Sequence, residues 1–122
     1  MAVVEAMRAK HGALWGYAVE PKTGHGPGEK TWPLVFSFLR QTFAARVPAE
    51  ADPSRGPVKL TPLKLEAGTL GENWSAGAGG YQTLAIAPFA KFEREKAKAS
   101  WLLNEAFARD WQAFQRDGQV AR

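Results

Sequence analysis

The stretch ALWGYAVEPKTGHGPGEKTWPLVFSFLRQTFAAR, residues 13–46, decides the fold that the sequence predicts. Residues 13–19 are nearly all apolar and lie between a glycine and a proline, which is typical of a short strand buried on both faces of a parallel sheet. Residues 20–30 form a loop rich in glycine and proline. A helix capped by Thr31 follows, and we expect it to pack on the sheet through the large apolar residues that recur at intervals of four, three and four: Trp32, Phe36, Leu39 and Phe43.

A shorter helix is predicted before the strand. Val3, Val4 and Met7 are spaced for one face of a helix, and Gly12 stands where a glycine commonly ends one. The order helix, strand, loop, helix indicates the α/β class. The chain begins almost inside the first helix, so we expect it to be a piece of a longer protein.

The sequence after residue 47 has weaker patterns. Pro62 interrupts the apolar residues of 57–67, which predicts an edge strand or an extended surface segment. Residues 84–92 carry a short strand signal that Pro88 breaks. A terminal helix is predicted from the N-cap residue Asn104 to Gly118, with an apolar stripe of Phe107, Trp111 and Phe114.

These patterns divide the chain into two parts. Residues 1–47 are predicted to be the carboxy-terminal end of an α/β core. Residues 48–122 are predicted to be an extended tail that wraps this core, with short strands and the terminal helix. A chain of 122 residues can form one domain at most.

Composition excludes several classes of site. The chain has no cysteine, so disulfides, thiolate metal sites and thiol catalysis are excluded. Its two histidines, His11 and His25, lack metal-ligand spacing, and the glycine-rich residues 77–80 lack the spacing and the lysine of a phosphate loop. We therefore expect no metal site and no cofactor.

Charge and hydropathy restrict the partners. The net charge of +4 is mild and evenly scattered, which argues against a nucleic-acid partner. No apolar run approaches the roughly 18 residues that a membrane span needs, and the first residues lack the apolar core of a signal peptide. The sequence leaves the compartment of the protein open.

His25 is the candidate catalytic residue. Histidine is the side chain whose unperturbed pKa lies nearest to neutral pH, which suits a general base. Glycines on both sides leave its ring sterically open. A loop histidine that is solvated, or that caps the following helix, fits the same pattern.

Residues 13–48 resemble the last strand, histidine loop and final helix of an α/β-hydrolase-fold serine esterase. The segment is similar to bacterial dienelactone-hydrolase-like and acetylxylan-esterase-like proteins, and residues 86–114 look like the tail that follows the core in some of them. The resemblance implies a partial α/β-hydrolase fold, a small ester as substrate and His25 as the histidine of the catalytic triad.

The chain departs widely from that family, at both the serine and the acid of the triad. The family serine lies in G-x-S-x-G and precedes the acid and the histidine in the sequence. None of the serines has this context: Ser37, Ser54, Ser75 and Ser100. Glu20 is a weak substitute for the acid, and a surface carboxylate is the simpler interpretation.

Three hypotheses follow. The first is the carboxy-terminal portion of an esterase, which contributes His25 and is inactive by itself because it lacks the nucleophile and oxyanion donors. The second is a small, tryptophan-rich interaction module, in which His25 is incidental. The third is a truncated gene product without function. A strand at 13–19 without neighbours on both sides would also expose a sheet edge, through which the chain could self-associate.

Overall fold

The computed structural model describes residues 2–120. The helices are α1 (Ala2–His11), α2 (Thr31–Arg46) and α3 (Glu105–Asp117). The strands are β1 (Thr69–Gly71), β2 (Ile86–Pro88) and β3 (Ser100–Leu102). Short 3-10 turns occur within the connections, at Pro53–Arg55, Leu65–Ala67, Ala76–Ala78, Phe89–Lys91 and Lys96–Lys98. The protein therefore has mixed α and β structure, as the sequence predicts.

The three strands form one small sheet in the order β2-β1-β3. Both pairings are antiparallel, and Leu70 of the central strand lies opposite Ala87 and Trp101. The sheet therefore differs from the parallel sheet that the sequence suggested. All three strands follow residue 68, within the part that was predicted to be a tail.

The core lies between this sheet and α3. Asn104 caps the helix, since its Oδ1 accepts a hydrogen bond from the Phe107 amide at 2.7 Å. Gly118 ends it in the left-handed conformation. The predicted stripe is buried to 93% or more at Phe107, Trp111 and Phe114, and packs with Leu70 and Leu102 of the sheet. The predictions for the terminal helix are thus confirmed.

The predicted strand at 13–19 is wrong. Residues 13–19 form no strand, and all of them are exposed or half-buried. The segment lies beside β3, where the Trp101 amide donates to the Trp15 carbonyl at 2.9 Å and the Tyr17 amide donates to Ser100 Oγ at 3.1 Å. Gly16 permits this approach, because a Cβ there would lie 2.6 Å from the Trp101 carbonyl oxygen.

The predicted packing face of α2 is also wrong. The helix has the expected bounds, but it packs on α3 through Leu34, Ser37 and Phe38, and the Phe38 ring lies 5.3 Å from that of Phe107. The four-residue apolar stripe lies on the opposite side and is exposed. Thr31 is the first helical residue rather than the N-cap, which is Lys30.

Arg8 attaches α1 to the rest of the protein. Gly12 follows the helix with φ of 60°, as predicted for a glycine that ends a helix, but Val3 of the predicted stripe is 64% exposed. Arg8 is buried instead, and its guanidinium donates to backbone carbonyls on two segments: those of Ala13, Trp15, Lys96 and Ala99. Burial lowers the pKa of Arg8 below its ordinary value.

The remaining connections lie on the surface. Residues 57–64 form neither helix nor strand and are mostly exposed, so the edge strand that was one of the two alternatives for 57–67 does not occur there, and a 3-10 turn follows at Leu65–Ala67. Strand β2 ends at Pro88, as the proline predicted.

Candidate functional site

His25 lies at the exposed tip of the loop 20–30. The residue after it, Gly26, has φ of 111°, a conformation that glycine adopts without strain. Within residues 2–120 the imidazole has no hydrogen-bond partner. The ring is therefore open to solvent and to a reaction partner, but the described residues do not orient it.

Glu20 closes the base of this loop. Its Oε2 accepts a hydrogen bond from Thr31 Oγ1 at 2.6 Å, and its Oε1 accepts one from Thr23 Oγ1 at 3.1 Å. The hydroxyl of Thr31, followed by that of Thr23 and by the backbone amides of Thr31 and Lys30, lowers the pKa of Glu20 below its ordinary value. Glu20 thus holds together the two ends of the loop, and no contact between it and His25 occurs in the described part of the chain.

The serines have other partners. Ser37 donates to Asp110 on α3, and Ser54 donates to Asp52 at 2.6 Å. Ser100 donates to Asn73 Oδ1 at 2.6 Å. No serine within the described residues is hydrogen-bonded to a histidine. The structure therefore brings together no Ser-His-acid triad from residues 2–120.

A cavity of about 700 Å³ lies between the segment 14–18, α2 and the core. Its walls are mainly apolar and include Leu34, Phe38, Trp101 and Phe107. The volume is within the range of small-molecule sites, roughly 300–1,000 Å³. Thr42 also lines the cavity, and within residues 2–120 its buried hydroxyl has no hydrogen-bond partner.

Tyr17 stands at one wall of this cavity. Its hydroxyl donates to the Trp74 carbonyl at 3.3 Å, and its own carbonyl accepts from Trp111 Nε1 at 2.9 Å. Burial of the phenol, with a smaller contribution from the charge of Glu5, raises the pKa of Tyr17 to about 12. No local sequence pattern marks this environment of Tyr17, since it depends on residues distant in the chain.

The exposed apolar face of α2 is the second candidate site. We call the residues Trp32, Phe36, Leu39 and Phe43 the α2 stripe. They are 50%, 64%, 55% and 67% exposed, although side chains of these types are usually buried. The rings of Trp32 and Phe36 lie 6.3 Å apart, so two members of the stripe already pack on each other. A contiguous apolar patch of this kind commonly marks an interaction surface.

Residues 2–120 contain no group of three or more His, Cys, Asp or Glu side chains that could hold a metal ion. None of the described helices has the length and hydropathy needed to cross a membrane.

Comparison with known proteins adds no relative. No family model, no curated protein and no solved structure matches the chain.

Proposed function

We propose that the chain is the carboxy-terminal portion of an α/β-hydrolase-type esterase and supplies its catalytic histidine, His25. The observation that carries the proposal is the open imidazole on a loop whose base is fixed. Glu20 and Thr31 hold the ends of the loop, and the glycines beside His25 leave its ring accessible. This arrangement fits a base that receives its nucleophile from another part of a longer protein.

In the proposed reaction His25 would accept the proton of a serine hydroxyl as the hydroxyl attacks an ester carbonyl. The same imidazole would then activate water to hydrolyse the acyl-enzyme, and an acid outside this chain would hold its tautomer. The 122-residue chain by itself would be inactive, since it lacks the serine and the oxyanion donors.

The first experiment measures turnover of p-nitrophenyl acetate by the 122-residue chain. We expect a rate no higher than that of an equal concentration of free imidazole, and no change on His25→Ala. A rate above that level which disappears in His25→Ala would contradict the predicted inactivity of the isolated chain.

The second experiment extends the protein into the coding sequence that precedes Met1. We expect a G-x-S-x-G motif and an acid there, and labelling of the extended protein by a fluorophosphonate. His25→Ala should abolish labelling, whereas the control His11→Ala, at another exposed histidine, should preserve it. Absence of the motif, or labelling that does not need His25, would refute the proposal.

A second candidate function is a tryptophan-rich interaction module. The specific observation in its favour is the α2 stripe, because the helix already has a stable position on α3 through its other face. In this function the stripe binds a protein surface, and His25 has no role.

A further inference from the structure

We propose that the α2 stripe binds the α2 stripe of a second copy of this chain, in an antiparallel, twofold-symmetric dimer. The inference rests on the second candidate function, since it names the partner of that surface. It does not involve His25 or the sheet edge.

The spacing of the stripe fits this partner. Intervals of four, three and four residues are those of the apolar positions along the seam of a coiled coil. On a helix of 3.6 residues per turn these residues fall within one narrow strip, opposite the Leu34 and Ser37 face that packs on α3. Because α3 fixes the helix, association would not require α2 to fold first.

The stripe is also symmetric about its centre. A twofold axis that passes α2 between Ser37 and Phe38 brings each large residue opposite a large residue of the partner helix, since the members of each pair are equally far from that midpoint. Trp32 then faces Phe43, and Phe36 faces Leu39. This self-complementarity is what a twofold interface requires.

Charge at the ends of the stripe favours the antiparallel direction. Glu29 precedes α2, and Arg46 is its half-buried last residue, whose Nε donates to the Thr61 carbonyl at 3.1 Å. The two residues are equally far from the same midpoint. The antiparallel arrangement therefore brings Glu29 near Arg46 of the partner helix at both ends. A parallel arrangement would bring like charges together. Arg40 lies beside the stripe. In the antiparallel dimer it is level with Val35 of the partner helix and not with a second Arg40.

The exposed area of the α2 stripe is sufficient for a small dimer interface. With large apolar side chains of roughly 150–250 Å² each, the exposed fractions leave about 500 Å² of the stripe accessible on each copy. Two copies would bury about 1,000 Å² through these side chains alone, which is near the lower limit for a specific interface.

The test is sedimentation equilibrium of the 122-residue chain and of two single variants, Phe36→Lys and Leu39→Glu. Both positions are exposed, so circular dichroism and cooperative unfolding should show that the variants fold. We expect the wild-type chain to dimerise and each variant to weaken the dimer on the order of a hundredfold, because each would bury an unpaired charge. Ala44→Lys, which places a charge on an exposed position of α2 away from the stripe, is the control and should dimerise like wild type.

Mixing the two variants tests the direction of the helices. In the antiparallel dimer Lys at one position faces Glu at the other, so an equimolar mixture should form heterodimers. In a parallel pair these charges would not meet, and a mixture that stays monomeric would refute the antiparallel dimer.

Other outcomes separate this inference from the function on which it rests. A wild-type monomer whose binding of an apolar dye falls in Phe36→Lys would refute the dimer but preserve the stripe as an interaction surface. A wild-type monomer whose dye binding is unchanged in that variant would refute both. Dimers that persist in both variants would place the contact on another surface, such as the sheet edge, and would refute this inference.

Discussion

The Ser37 hydroxyl on α2 donates a hydrogen bond to the buried carboxylate of Asp110 on α3, and this contact fixes which face of α2 points outward. Gln41 donates to the same carboxylate oxygen at 3.4 Å. Because a buried carboxylate requires donors, α2 turns its polar residues inward at this point. The apolar stripe is left in solvent as a consequence.

Removal of this donor should destabilise the protein. Among residues 2–120, the Asp110 carboxylate in Ser37→Ala keeps only the longer bond from Gln41. We therefore expect a loss of about 1–3 kcal/mol in the free energy of unfolding, measured by urea denaturation. The control is Ser54→Ala, which removes an exposed serine that also donates to an aspartate and should change stability by less than about 0.5 kcal/mol. Equal effects of the two variants would contradict the role assigned to Ser37.

The buried guanidinium of Arg8 gives a second prediction. Arg8→Met should lower the free energy of unfolding by about 2–4 kcal/mol, because carbonyls on two segments lose a charged donor. Arg8→Lys should restore only part of the loss, since an ammonium lacks the planar fork of donors. Lys10→Met, at an exposed position of the same helix, is the control and should have little effect. Full rescue by lysine would show that charge alone matters.

The hydroxyl of Thr42 gives a prediction of opposite sign. Thr42→Val replaces a buried hydroxyl, unpartnered within residues 2–120, by a methyl group, so we expect stability to rise by about 1 kcal/mol. Thr31→Val makes the same chemical change at a hydroxyl that donates to Glu20, and should lower stability by about 1 kcal/mol. Urea denaturation of both variants checks the pair, and effects of the same sign would contradict the prediction.

Tyr17 gives a prediction on pH. Burial raises its folded-state pKa from the ordinary value of 10.0 to about 12, so the folded state favours the neutral phenol. This contribution to stability is fully present below pH 10 and is lost as the pH rises from 10 to about 12. We expect Tyr17→Phe to reduce the loss of stability over this window, measured by denaturant unfolding at successive pH values. An unchanged pH profile in Tyr17→Phe would contradict the prediction.

The terminal helix could be predicted from sequence because its signals are local. Asn104 and Gly118 mark its ends, and Phe107, Trp111 and Phe114 define its buried face within four turns. These features require no knowledge of distant parts of the chain.

Of the sheet, only β2 had a strand signal in the sequence, and the pairing of the strands could not be predicted because they have three residues each. Strands this short cannot show an alternating pattern, and Leu70 is paired with residues 17 and 31 positions away in the sequence. The orientation of α2 escaped prediction for a related reason: its large apolar residues recur at helical intervals and indicated a packing face, but the partner of Ser37 lies on α3. The exposed position of His25 fits the sequence analysis, while its catalytic role stays a prediction.

The hydrogen bond between Glu20 and Thr31 bears on where the protein tolerates insertions. It joins two residues eleven positions apart, so the backbone enters and leaves the loop at one fixed place. Lengthening a flexible loop costs little, about 0.6 kcal/mol for each doubling. Insertions around residues 24–26 should therefore leave the body of the protein folded while they carry the imidazole to new positions. The loop is a natural place to attach a peptide tag or a fluorescent label.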